Sequence, residues 1–191
     1  MIYLVDEKLT DASHSKSMID IIRNHNNLAN IELIEINKNF TLNQLFDTIY
    51  DLMPKVLPND IVLCAWAIPA NDEIDHLFNE LASCCHVVAA AGNFREPIEN
   101  YSPVRAEKVI AVGTLNKTGL VAALSNYSNT KKIVWIPGTN YNIGYKVSSG
   151  TSVSAAIYTA FLDISIRNND KQLLDKLIQD HIDSVFKEIN K

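Results

Sequence analysis

The chain has 191 residues, of which 47% are hydrophobic and 20% are charged, a balance typical of a globular protein with one sizeable core. Its formal net charge of -5, with scattered basic residues, argues against a surface built to bind nucleic-acid phosphates. No stretch reaches the ~20 apolar residues of a membrane span, and Met1 is followed by neither a basic nor a long apolar leader segment. We therefore expect a single domain over residues 1–191, no membrane partner and a cytoplasmic location.

The first part of the chain alternates strand and helix patterns. Met1–Val5 is a short apolar run and Ile31–Ile36 alternates apolar and charged residues, so both predict strands. Between them, His14–His25 places its apolar residues at helical intervals, with Asp11 or Ser13 as the candidate N-cap.

The alternation continues along the chain. The next predicted elements are a helix from Thr41 to Pro54, a strand over Ile61–Ala67, a helix from Asn71 or Asp72 to about Cys84, strands over His86–Ala91, Val109–Leu115 and Lys132–Ile136, and helices over Thr151–Ile166 and Lys171–Ile189. This order predicts an α/β fold of three layers, a doubly wound and mostly parallel sheet with helices on both faces. Such sheets bind ligands beyond the carboxyl ends of their strands, where Asp6 and Asn93 are predicted to lie.

Several motifs follow one another in the second half of the chain. They are VVAAAGN at Val87–Asn93, VIAVGTLN at Val109–Asn116, LSNY at Leu124–Tyr127, IPG at Ile136–Gly138 and SGTSVSA at Ser149–Ala155. In motif and in order they resemble the subtilisin-like serine proteases. The resemblance implies the subtilisin-like version of this fold, an Asp-His-Ser triad and an asparagine that donates to the oxyanion.

Ser152 occupies the nucleophile position in this resemblance. A serine hydroxyl needs a neighbouring base, which a third group holds in one tautomer. Ser152 also opens a predicted helix, whose free N–H groups and dipole can stabilise negative charge, and Gly150 would allow close backbone approach. The alternative is that Thr151 and Ser152 only cap this helix, as serine and threonine commonly do.

Asn93 occupies the position of the oxyanion donor. Its side-chain NH₂ would bind the developing negative charge, a contribution on the order of 10²- to 10³-fold in rate. The alternative is a turn residue, which Gly-Asn pairs favour.

Asp6 and His14 are assigned by position as the orienting carboxylate and the base. The family has a small residue and glycine after this aspartate, whereas Glu7 and Lys8 follow it here, and Ser15 replaces the glycine after the histidine. The interval from Asp6 to His14 is 8 positions, which implies that a strand and its loop are missing. A short loop can still bring the two side chains together. The alternatives are a turn residue for Asp6 and an exposed first-turn residue for His14.

The resemblance also indicates where a peptide would lie. One segment would pair with an extended substrate through its main chain, and another would form a wall of the primary specificity pocket. These residues are Ala65, Trp66 and Ala67 in the first segment and Ala90, Ala91 and Gly92 in the second. Tyr101 would lie near the base of the pocket, and if it fills the pocket, only small side chains are accepted.

We therefore predict a serine endopeptidase or related hydrolase that acts on a peptide or protein by acyl transfer. No cofactor is predicted, and no metal, because no carboxylate-rich loop suggests a calcium site. The three cysteines, Cys64, Cys84 and Cys85, lack metal-ligand spacing and are typical of reduced thiols.

Two other functions are compatible with parts of the sequence. The altered surroundings of Asp6 and His14 favour a catalytically inactive subtilase-fold module that binds or regulates a partner. An unrelated flavodoxin-like binder would need a glycine-containing phosphate loop after the first strand, and Asp6–Thr10 contains no glycine.

Overall fold

The computed structural model describes residues 1–37 and 39–189 and is centred on a parallel sheet. The strands are β1 (Ile2–Asp6), β2 (Ile31–Glu35), β3 (Ile61–Cys64), β4 (Ile68–Pro69), β5 (His86–Ala90), β6 (Tyr101–Ser102), β7 (Ile110–Leu115), β8 (Ile133–Pro137), β9 (Tyr141–Asn142) and β10 (Val147–Ser148). The central sheet has the order β2-β1-β3-β5-β7-β8, and neighbouring strands in it are parallel. The strand order reverses between β1 and β3, the kind of switch point at which such sheets bind ligands.

The helices begin at residues suited to capping. They are α1 (His14–His25), α2 (Leu42–Leu52), α3 (Asp72–Leu81), α4 (Thr151–Arg167) and α5 (Lys171–Ile189). Ser13 and Asn71 each accept a hydrogen bond from a backbone N–H of the helix that follows, and Thr41 forms a reciprocal capping box with Gln44.

Two hydrophobic cores cover the two faces of the sheet. Helices α1 and α4 pack over one face and α2 and α3 over the other, while α5 packs against α4. Successive residues of a strand pack into opposite cores, because the side chains of a strand alternate between its two faces. Leu4, for example, packs on the α1 side and Val5 on the α2 side. The predicted doubly wound α/β fold is therefore confirmed. Among the described helices, none is both long and apolar enough to cross a membrane.

Some element boundaries differ from the prediction. The strand predicted to reach Ala67 ends at Cys64, because the Trp66 indole N–H donates to Val5 O at 2.8 Å and turns the segment over the end of β1. The helix predicted to reach about Cys84 ends at Leu81. The short antiparallel pairs β4–β6 and β9–β10 were not predicted, since two-residue strands carry no detectable periodicity.

Candidate active site

The carboxyl end of β1 brings Asp6 and His14 into contact. His14 Nδ1 lies 2.7 Å from Asp6 Oδ2. Asp6 is buried, whereas the His14 side chain is 38% exposed. A carboxylate that accepts the Nδ1 proton selects the tautomer whose Nε2 is free to accept a proton. Within the described residues, His14 Nε2 makes no hydrogen bond.

The turn between β1 and α1 is held by short-range hydrogen bonds. Ser13 Oγ accepts from Lys16 N at the start of α1 and also contacts Thr10. Glu7 Oε1 accepts from the backbone N–H of His14 at 2.7 Å. The sequence reasoning missed Glu7, because it lies seven positions before the first residue of α1 and only the turn brings it to the helix N-terminus.

Ser152 is the second residue of α4, and its helix is not capped by a side chain. The N-cap is Gly150, so the interpretation of Thr151 and Ser152 as capping residues is wrong. Thr151 Oγ1 instead accepts from the Gly92 N–H at 3.0 Å. Ser152 is half-buried, and its hydroxyl makes no hydrogen bond to another described residue.

Asn93 lies directly against the start of α4. Its Oδ1 accepts from the Thr151 N–H at 2.9 Å, which leaves both Nδ2 protons without a hydrogen-bond partner among the described residues. Gly150 makes this contact possible, because a Cβ there would lie 3.1 Å from Asn93 Nδ2 and its φ of 139° disfavours other residues.

Asn126 fixes the backbone on both sides of Asn93, and sequence reasoning missed its role. It is fully buried. Its Nδ2 donates to Ala91 O at 2.9 Å, and its Oδ1 accepts from the N–H groups of Phe94 and Glu96. The signal was present, since Asn126 belongs to the LSNY motif, but its partners lie about thirty residues earlier in the chain.

His14 and Ser152 lie in the first turns of α1 and α4. The two helices pack together, and near their carboxyl ends Asn26 Nδ2 donates to Asp163 Oδ2 at 2.7 Å. His14 precedes Asn26, and Ser152 precedes Asp163, by nearly equal numbers of residues. At a rise of about 1.5 Å per residue, both residues lie at the same edge of the sheet. The positive ends of two helix dipoles therefore face this edge.

A cleft of about 280 Å³ opens beside Asp6 and His14 and has Ala65 and Trp66 in its lining. The main-chain groups of Trp66 and Ala67 make no backbone hydrogen bond within the described part of the chain.

The segment Ala90, Ala91 and Gly92 leads from the end of β5 to Asn93. Tyr101, in β6, pairs with Pro69 of β4 and stacks on Phe94 with ring centroids 4.8 Å apart. Its hydroxyl donates to Glu96 at 2.9 Å. Desolvation, together with this hydrogen bond and the charge of Glu96, raises the pKa of Tyr101.

Cys64 and Cys85 are buried, and Cys84 is exposed. Burial, together with the negative charge of Asp6, raises the pKa of the Cys64 thiol well above its ordinary value. A thiol kept protonated in this way is a poor nucleophile. Across residues 1–37 and 39–189, no three histidine, cysteine or acidic side chains are grouped closely enough to hold a metal ion.

Comparison with known families identifies the family of this chain. The model of the subtilase family, peptidase family S8, matches residues 5–182. The chain belongs to the subtilase family. Subtilisin-like protease 1 of Pseudogymnoascus destructans is 37% identical over 75 residues, a match that covers 36% of this chain and 18% of that protein.

Solved structures of proteases share the fold at low sequence identity. A cold-adapted subtilisin-like serine proteinase superposes with a TM-score of 0.72 at 14% identity, covering 93% of this chain and 79% of the other. The prenylagaramide maturation protease PagA gives 0.66 at 16% identity, with 89% and 78% covered. A lanthipeptide protease gives 0.69 at 12% identity, with 91% and 77% covered. The subtilisin-like form of the α/β fold is thus confirmed.

Proposed function

We propose that this subtilase is a serine hydrolase that cleaves peptide bonds by acyl transfer, with Ser152, His14 and Asp6 as its triad and Asn93 as oxyanion donor. The observation that carries the proposal is the 2.7 Å contact between Asp6 Oδ2 and His14 Nδ1. It forms across a turn far shorter than the family's usual one, at the sheet edge where the first turn of α4 carries Ser152.

The chemistry assigns one role to each group. Ser152 Oγ attacks the carbonyl carbon while His14 Nε2 takes its proton, and Asp6 stabilises the resulting imidazolium. The oxyanion is held by Asn93 Nδ2 and the Ser152 backbone N–H, assisted by the dipole of α4. His14 then returns the proton to the leaving amine, and water releases the acyl group by the same steps.

The proposed substrate is an extended peptide with a small residue before the scissile bond. Trp66 and Ala67 offer unpaired main-chain groups for strand addition. The Phe94–Tyr101 stack supports the size limit, since Phe94 adjoins Gly92 closely enough that a Cβ at Gly92 would lie 3.4 Å from its ring. Two aromatic rings beside the pocket wall leave little room for a large side chain.

The competing function is a subtilase-fold module that binds peptides without cleaving them. The absence of a hydrogen bond between the Ser152 hydroxyl and another described residue favours it. However, catalytic hydrogen bonds are often long before substrate binds and tighten in the complex. A test of serine reactivity therefore separates the two functions.

The test is labelling by a fluorophosphonate probe, read by intact mass and peptide mapping. We expect stoichiometric modification of Ser152 in the wild-type chain and none in Ser152→Ala or His14→Ala. Ser154→Ala is the matched control, because Ser154 lies in the same helix with its hydroxyl bonded to Ile136 O. A folded wild-type chain that takes up no probe would exclude the hydrolase and leave the binding module.

A further inference from the structure

Glu7 contacts both members of the Asp6–His14 pair. Its backbone N–H donates to Asp6 Oδ1 at 2.7 Å, and its Oε1 accepts from the backbone N–H of His14 at 2.7 Å. Because the Glu7 N–H is bound to Asp6 Oδ1, Asp6 Oδ2 is the oxygen that contacts His14 Nδ1. One residue thus sets the rotation of the carboxylate and fixes the first residue of the helix that carries the imidazole.

Few other contacts stabilise the turn between Asp6 and His14. Residues 8–12 are exposed, so they add no apolar packing to offset the entropy of ordering them. The bonds of Ser13 reach Thr10 and α1 but not β1. The N–H of His14 is one of the free donors at a helix N-terminus, where the dipole also favours a carboxylate.

We propose that Glu7 is a positioning residue for the proposed reaction. It holds Asp6 and His14 in the orientation from which His14 Nε2 takes the proton of Ser152. The kinetic consequence rests on the proposed function, but the Asp6–His14 hydrogen bond can be observed without turnover.

The variants separate the contact from the charge. Glu7→Ala removes the side-chain contact with the His14 N–H and the charge. Glu7→Gln keeps an acceptor for that N–H without the charge, and Glu7→Asp keeps the charge but shortens the reach by one methylene. All three variants keep the backbone N–H that binds Asp6 Oδ1, so they test the side-chain contact alone. Lys8→Ala is the matched control, since Lys8 is the exposed next residue and its side chain makes no hydrogen bond to a described residue.

Two readouts are taken on the full chain. The first is the proton NMR signal of the His14 Nδ1–H, assigned by its loss in His14→Ala. We expect this signal, far downfield, in wild type, Lys8→Ala and Glu7→Gln, and its loss by exchange in Glu7→Ala and Glu7→Asp. The second is the turnover of a peptide substrate, where Glu7→Ala and Glu7→Asp should lose about 10- to 100-fold in kcat with KM little changed, and Glu7→Gln should recover most of the rate.

The readouts keep the two proposals apart. If wild type shows the Nδ1–H signal but neither labels nor turns over, the proposed function fails, and the NMR signals of the Glu7 variants still decide whether Glu7 supports the pair. An unchanged signal and unchanged kcat in folded Glu7→Ala would overturn the inference. If Glu7→Ala does not fold, the same result in Glu7→Asp would overturn it.

Discussion

The two halves of the candidate site are held in opposite ways. The serine half depends on buried groups that come from distant parts of the chain, above all Asn126 and Thr151. The aspartate–histidine half depends on sequence neighbours, Glu7 and Ser13, in a largely exposed turn. Substitutions in the serine half leave buried polar groups without hydrogen-bond partners, which lowers the free energy of unfolding. The turn after Asp6 can shorten and change its residues as long as local hydrogen bonds replace the old ones.

The largest expected effect is on the reactivity of the serine half. Asn93→Ala removes the Nδ2 donor, so we expect the rate constant for fluorophosphonate labelling to fall about 10²- to 10³-fold, as when such a donor is removed from subtilisin itself. Asn100→Ala is the control, an exposed asparagine bonded to Glu96. Labelling of Asn93→Ala at the wild-type rate would remove Asn93 from the oxyanion site.

The next prediction concerns how much the buried contacts of Asn126 contribute to the stability of the protein. Asn126→Ala leaves Ala91 O and the N–H groups of Phe94 and Glu96 without their partner. We expect the free energy of unfolding to fall by about 3 kcal/mol, measured by urea denaturation. A loss below about 1 kcal/mol in Asn126→Ala would contradict the importance assigned to these buried contacts.

The third effect concerns His25, the half-buried last residue of α1. Burial, with the nearby His181 adding to it, lowers the pKa of His25 to about 4 from 6.5. As pH falls from 6.5 toward 4, the unfolded chain therefore takes up a proton that the folded chain does not, so stability decreases. The loss should be about 3 kcal/mol, measured by urea denaturation across this range.

In His25→Gln this acid-side loss should shrink, whereas His76→Gln, which replaces an exposed histidine, should follow wild type. A pH dependence of stability in His25→Gln equal to that of wild type would assign the acid-side loss to other groups.

The smallest effect concerns substrate selection. Tyr101→Ala removes one ring of the Phe94–Tyr101 stack, and we expect kcat/KM for peptides with a larger residue before the scissile bond to rise about tenfold. Peptides with alanine there should change little. Tyr127→Ala, at an exposed tyrosine, serves as the control. A uniform change for all peptides in Tyr101→Ala would place the stack outside the pocket.

The sequence predicted elements best where pattern and capping agreed. The bounds of α1 were predicted because Ser13 caps a segment with clear helical spacing. The end of β3 was not, because an apolar run such as Ile61–Ala67 is typical both of a buried strand and of the floor of a cleft. The periodicity of the sequence carries no information on the hydrogen bond from the Trp66 indole N–H to Val5 O.

The same distinction holds within the site. Ser152 and Asn93 were singled out because contiguous motifs surround them, and their catalytic roles stay predictions. Asp6 and His14 lie in contact, as expected. The supporting roles of Asn126 and Glu7 were not predicted. Each depends on which backbone groups the fold leaves without a partner nearby, a property that emerges only in three dimensions.

Trp66 gives the molecule an internal optical reporter. Its indole lies in the lining of the cleft beside Asp6 and His14, fixed by its bond to Val5 O. The other tryptophan, Trp135, lies in β8 against Gly113, and β8 is the edge strand at the opposite end of the sheet from β1 and β2. A peptide that enters the cleft changes the surroundings of one indole and leaves the other as a constant background. Intrinsic fluorescence, without any added dye, can therefore count occupied sites even in the Ser152→Ala variant.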